Sequence, residues 1–230
     1  MKPVITMIHT VFPIIAPLKK IFETSLKPGS FQLYNMVDDS IVPRILAAGS
    51  ITPDITGTVF DHVASAARFG SDVIMVTCSS ISETVDLIQP LVKIPVIKID
   101  DAMTDEAVKT AKTLGVVATI TTALQPTMNQ LKLKAKQNQQ NINLVPCLCW
   151  EAYEDLMRNG NPAQHDRIVL HAIENILGEV DAIVLSQASL DRLVPLLAQK
   201  TDKPVFSSPV SGVGRVIAKL ASKFRVEVNE

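Results

Sequence analysis

Cys78 is the residue in this sequence best placed for chemistry. It closely follows the apolar run 73–76, inside Thr77-Cys78-Ser79-Ser80, and precedes a segment that reads as a helix starting near Ser79. A thiol at such a junction meets the free N–H groups and dipole of a helix start, which favour the thiolate. The same N–H groups, with the Ser79 and Ser80 hydroxyls, suit a substrate carboxylate. The competing reading is the ordinary cysteine, a small buried hydrophobe. The strand-end position and the repeat described below favour catalysis.

Three more loops follow short apolar runs: His9-Thr10, Thr119-Ile120-Thr121-Thr122 and Ser186-Gln187-Ala188-Ser189. They are rich in hydroxyls and contain no Lys or Arg. Thr10, Thr119, Thr121, Thr122, Ser186 and Ser189 could contact a carboxylate, although capping a helix is the usual work of Ser and Thr at these positions. His9 could polarise a substrate or orient the thiol, or be a packed imidazole. Cys147 and Cys149 stand two apart with no companion Cys or His pair. That spacing lacks the four ligands of a structural zinc site, so two buried thiols at a strand end are expected and no metal is. His165 beside Asp166 reads as a local hydrogen bond, and His62 and His171 read as ordinary helix residues. Gly-x-Gly-x-x-Gly, Gly-x-x-x-x-Gly-Lys and Gly-x-Ser-x-Gly patterns are missing, which argues against nucleotide cofactors and serine-hydrolase chemistry.

Short Val- and Ile-rich runs at 4–8, 31–36, 73–76, 96–97, 116–118, 142–145, 182–185 and 204–206 alternate with longer helical segments. They do not alternate polar with apolar, as expected of strands covered on both faces. Thr52-Pro53, Asn161-Pro162 and Ser208-Pro209 each put a capping residue before a proline suited to the first helical turn. The pattern predicts parallel βα units.

The chain also repeats itself. Asp72–Ser80 is similar to Asp181–Ser189, Pro95-Val96 to Pro204-Val205, and Thr10 and Pro17 to Thr119 and Pro126, always 109 residues apart. The fold class expected is α/β with two pseudo-symmetric lobes, each a four-stranded mainly parallel sheet flanked by helices. Lobe 1 is expected over 1–98, with a C-terminal helix at 209–230 packing back on it, and lobe 2 over 99–208. Ligands of open parallel sheets bind beyond the carboxyl ends of the strands, so the four loops are expected to surround one cleft between the lobes.

A formal net charge of −1 gives no electrostatic case for nucleic acid or an anionic membrane. No apolar run reaches membrane-span length. The faintly signal-like start, 2–18, is broken by Pro13 and Pro17 and belongs to the repeat. Three cysteines, an odd number in a chain of this size, suggest reduced thiols and a cytoplasmic location.

The Asp72–Ser80 unit, Gly115–Thr122 and the 109-residue duplication together resemble the aspartate/glutamate/hydantoin racemase superfamily across essentially the whole chain. Asp38-Asp39-Ser40, Gln125-Pro126-Thr127 and Ser186-Gln187-Ala188-Ser189 are similar to a branch of undefined activity. The resemblance implies a site between two lobes, no cofactor, and often a homodimer. It also implies two cysteines, one per lobe, that exchange a proton on opposite faces of the substrate's α-carbon. Cys78 matches the first position, but the second, by the repeat register, is Gln187.

Glutamine does not exchange protons near neutral pH, so symmetric two-thiol racemisation is not available. Gln187 is instead expected to donate a hydrogen bond to a carboxylate or a developing enediolate. An acidic residue near the end of the first strand assists the thiol in family racemases, and His9 stands at roughly that place. One-cysteine members of the superfamily include decarboxylases, and related isomerases add the first-lobe cysteine to a double bond. The leading expectation is a cofactor-independent racemase- or isomerase-type enzyme that acts on a small carboxylic acid through Cys78. A decarboxylase of malonate-type acids, or a non-catalytic binder of small acids, are the alternatives.

Overall fold

The structure, a computed structural model, describes residues 2–229, so the outermost residue at each end of the expected lobe 1 lies outside it. Strands run β1 Val4–His9, β2 Gln32–Val37, β3 Val73–Val76, β4 Val96–Lys98, β5 Thr113–Ala118, β6 Asn143–Leu148, β7 Ala182–Leu185 and β8 Val205–Phe206. Helices are α1 Ile15–Ser25, α2 Ile41–Ala48, α3 Pro53–Phe69, α4 Ser82–Ile88, α5 Asp101–Thr110, α6 Thr121–Gln137, α7 Trp150–Asn159, α8 Pro162–Ile176, α9 Val194–Leu197 and α10 Ser208–Ala221. The strands form two four-stranded sheets, ordered β2-β1-β3-β4 and β6-β5-β7-β8. Every pairing between these strands is parallel.

The chain divides into two compact units, one comprising residues up to Asp100 and from Pro209 on, the other Asp101–Ser208. In the first unit, β3 is buried throughout and packs with Ile41 and Ile45 of α2, Val59 and Val63 of α3 and Val85 of α4. In the second, alternate residues of β5 and β7 serve two cores. Leu114, Val116, Ala182 and Val184 meet α5 and α6, while Val117, Ile183 and Leu185 meet α7 and α8. Covering on both faces is why these runs read as continuously apolar.

The repeat is also visible in the hydrogen bonds. Asp72 accepts from the Val4 amide at 3.0 Å, and Asp181 accepts from the Thr113 amide at 2.8 Å. One aspartate thus anchors the start of each sheet's inner strand β1 or β5. Beyond the paired strands, Thr77 N–H donates to Ile8 O at 3.0 Å and Ser186 N–H to Val117 O at 2.9 Å.

The caps at Thr52 and Asn161 form as the sequence suggests, with side chains accepting from Ile55 N and Gln164 N. Two strands extend more than one residue beyond their expected spans. β5 begins at Thr113 because Gly115 fits under α8, where a Cβ would lie 2.9 Å from Ile176. β6 runs through Pro146 to Leu148, which an edge strand tolerates because Pro lacks only an N–H.

Gly212 of α10 is buried against the end of β4, where a Cβ would stand 2.6 Å from the Ile99 carbonyl oxygen. Gly214, exposed two residues further along, meets nothing within 4 Å. Gly212→Ala is therefore expected to destabilise the protein by about 1–3 kcal/mol through overpacking. Gly214→Ala should stabilise it by about 0.5–1 kcal/mol through helix propensity. Thermal unfolding followed by circular dichroism checks both signs.

Candidate active site

In the first unit the site grows from the register of β3. β3 pairs with β1 as Ile8↔Val76 and with β4 as Val76↔Lys98. Two residues further along all three chains, Cys78 stands between Thr10 and Asp100. Val76 O accepts from Ile99 N at 3.0 Å, so the β4 chain still runs beside β3 past its last pair.

Cys78 is partly exposed, while Thr10, Ser79, Ser80 and Asp100 are buried around it. The expected helix start is a three-residue 3-10 turn, Ser79–Ile81, followed by the seven-residue α4. Such short elements carry little dipole. Burial pushes the Cys78 thiol up, against the expected lowering, and the nearby charge of Asp100 adds to the rise. The nearby Thr10 hydroxyl and the amide and hydroxyl of Ser80 oppose this without reversing it.

His9 is fully buried with both ring nitrogens engaged, Nε2 with Asn35 at 2.9 Å and Nδ1 with Thr77 Oγ1 at 2.8 Å. Burial lowers its pKa, partly offset by the Asn35 hydrogen bond. The ring ties β2, β1 and the start of the Cys78 loop together. His62, read from sequence as an ordinary helix residue, in fact reaches Asp38 at 3.0 Å. Asp38 also accepts from the Ser40 hydroxyl at 2.6 Å, and its amide donates to His9 O.

Asp100 escaped the sequence reading. Its carboxylate has no solvent exposure, and the Ser82 hydroxyl lies 3.0 and 3.1 Å from its two oxygens. Burial pushes its pKa up, while bonds from Ser82 and Ser79 and the charge of Lys98 pull it down. A usable signal existed, since an acid stands two residues after the 96–98 run and the repeat partner of Asp100 is Pro209.

The second unit places Thr119, Ser186 and Gln187 together. Gln187 Oε1 accepts from both Thr119 N–H, at 2.6 Å, and Thr119 Oγ1, at 3.0 Å. An amide N–H must donate to oxygen, so the orientation of the glutamine is determined. Its Nε2 makes no hydrogen bond among the described residues and is left to donate. Thr121 and Thr122 open α6, whose first N–H groups lie beyond the end of β5 beside Thr119. Ser186 is buried, and Ser189 is half-buried with its carbonyl accepting from Arg192. Arg192 also holds Asp166 at 2.5 Å, and Asp166 bonds His165 at 2.9 Å.

Cys147 and Cys149 are buried with their sulfurs 3.9 Å apart. Among the described residues no group of three or more His, Cys, Asp or Glu could hold a metal ion, and no helix is long and apolar enough to cross a membrane.

A duplicated α/β scaffold with a thiol at one strand end and an amide at the matching strand end defines a class before it defines a reaction. The family model described as Asp/Glu/hydantoin racemase matches residues 18–216, so the chain belongs to that family. A comparison with curated proteins by sequence finds no significant match. Among solved structures, the fold is similar to glutamate racemase from Bacillus anthracis, with TM-score 0.76 and 16% identity over 96% of this chain and 82% of that one. It is similar to allantoin racemase from Klebsiella pneumoniae, with TM-score 0.68 and 18% identity over 96% and 89%. A Gly74Cys mutant of arylmalonate decarboxylase also shares the fold, with TM-score 0.58 and 16% identity over 98% and 96%.

The raised thiol sets a measurable expectation. Alkylation of Cys78 by iodoacetamide, followed against pH by site-resolved mass spectrometry, should show a midpoint above that of an ordinary thiol. Ser80→Ala removes a hydroxyl that favours the thiolate, so the midpoint should rise further. Below the midpoint, labelling should slow by up to about tenfold, the effect of one pKa unit on the thiolate fraction.

Proposed function

We propose that this protein is a cofactor-independent isomerase of the racemase type that acts on a small carboxylic acid through one thiol, that of Cys78. The observation that carries the reading is Cys78 itself, at the carboxyl end of the buried strand β3, with the amide and hydroxyl of Ser80 beside its sulfur, in a chain of this family. Gln187 is the second element. Its oriented Nε2 is a donor suited to a carboxylate.

In the reaction proposed, Cys78 as thiolate removes the proton on the carbon next to the carboxylate. The C–H electron pair moves into the carboxylate and gives an enediolate, whose added charge falls on oxygens facing hydrogen-bond donors. Return of the proton by Cys78 to a second carbon conjugated with the enediolate shifts a double bond, gives the isomeric acid and restores the thiolate, whereas return to the α-carbon on the same face gives exchange without inversion. Gln187 cannot supply that proton from the opposite face, so Cys78 is the one titrating group proposed to touch the carbon. His9, with both ring nitrogens occupied, acts as a positioning residue for the Cys78 loop.

The raised thiol favours a second reading. A Cys78 that rests protonated is suited to delivering a proton to the enediolate left when a malonate-type acid loses carbon dioxide. Incubation of small acids in deuterated water separates the two. Deuterium exchange at the α-carbon without carbon loss supports the isomerase, and carbon dioxide release with single deuterium uptake supports the lyase. Tight binding of an acid without either reaction, unchanged in Cys78→Ala, would overturn both.

Cys78→Ala is expected to lower turnover by about 10²–10⁴, the range for losing a proton-transfer group. Gln187→Leu should lower kcat by about 10²–10³, as loss of a donor to a developing anion does. Steady-state kinetics on an acid identified by the exchange screen measure both.

A further inference from the structure

We propose that Asp100 is a positioning residue for Cys78, holding the 78–82 turn in place and setting the electrostatic field in which the thiol ionises. The inference rests on the reading of Cys78 as the reacting group, and it assigns a role to a residue that this reading does not use.

The argument begins with cost. A carboxylate with no solvent exposure is expensive to keep, and it persists where bonds to it do something. Asp100 is fixed by register rather than by chance packing, because β3 and β4 pair as Ile74↔Val96, Met75↔Ile97 and Val76↔Lys98, which puts residue 100 beside residue 78. Its two oxygens are both reached by the Ser82 hydroxyl, at 3.0 and 3.1 Å. The same hydroxyl lies 3.4 Å from the Cys78 carbonyl oxygen. Ser79, the residue after the thiol, also hydrogen-bonds the carboxylate. Asp100 therefore grips the turn that carries Cys78 at two points, and its charge acts on the sulfur directly.

The groups facing the pair can be named by element. From just beyond β1 comes the Thr10 hydroxyl, from the turn the Ser80 amide and hydroxyl, and from β4 the Lys98 ammonium. Lys98 divides its charge between Asp100 and Asp86 of α4, which it meets at 2.6 Å. His9 is turned toward Asn35 and Thr77. Asp100 is the anionic member of this set, and an anion beside a thiol opposes its ionisation. The repeat sharpens the point. The position equivalent to Asp100 is Pro209, just as the equivalent of Cys78 is Gln187. The acid occurs only in the copy that has a thiol to control.

The test is the pH profile of Cys78 alkylation in the full-length protein, read by site-resolved mass spectrometry, for Asp100→Asn and Ser82→Ala. Asparagine keeps the shape and an acceptor for Ser82 but removes the charge. The labelling midpoint should therefore fall, and the rate below it should rise about three- to tenfold, up to one pKa unit. Ser82→Ala keeps the charge and loosens the turn, so it should lower kcat on the identified substrate with little change in midpoint. A midpoint in Asp100→Asn that is unmoved or raised, in protein with wild-type circular dichroism, would overturn the proposal. Cys78→Ala turnover, measured alongside, separates the failures. Full turnover in that variant overturns the enzymatic role of Cys78 and leaves the alkylation result standing. An unmoved midpoint with turnover that depends on Cys78 removes only the role of Asp100.

Discussion

The parallel pairing of β3 between β1 and β4 is the constraint on which the first unit's site depends. Its register, with Ile8 and Lys98 flanking Val76, decides which residues stand beside the thiol two positions later. Parallel strands deliver their carboxyl ends to one edge of the sheet, so three loops meet there without any loop having to reach far. The buried apolar run of β3 makes that register costly to change. A slip of one residue would turn its core side chains to the other face and carry Cys78 away from Thr10 and Asp100.

The second unit builds the same frame and fills it differently. Asp181 anchors β5 as Asp72 anchors β1, and Thr119 stands beside Gln187 where Thr10 stands beside Cys78. One strand-end position thus holds a group that titrates, and its counterpart holds a group that only donates. In the first unit a neighbouring acid opposes ionisation of the thiol. In the second, two bonds from Thr119 consume the amide oxygen of Gln187 and leave its nitrogen available.

The thiol illustrates how local and global electrostatics compete. Sequence proximity to a helix start argued for an acidic Cys78, and the donors that argument called for are present in the Ser80 amide and hydroxyl. Their effect is smaller than the loss of water around the sulfur, because desolvation penalises the charged form wherever solvent is excluded. The helix that was to supply the dipole is itself broken into a short turn and a seven-residue segment.

By itself, the sequence determined the strands, their parallel class, the duplication and the equivalence of Cys78 with Gln187. Each of these follows from local composition or from spacing along the chain, and the 109-residue shift passes unchanged into paired hydrogen bonds at Asp72 and Asp181. Only the tertiary structure decided three other features: Asp100 as a neighbour of Cys78, the full occupation of His9, and the direction in which the thiol's pKa moves. Asp100 lies 22 residues along the chain from Cys78, and the two meet because β4 pairs with β3, a choice of strand order that composition does not encode. The state of His9 depends on Asn35 and Thr77, brought in from two other strands. Burial is a property of everything packed around a group, and that sum exists only once the chain has folded.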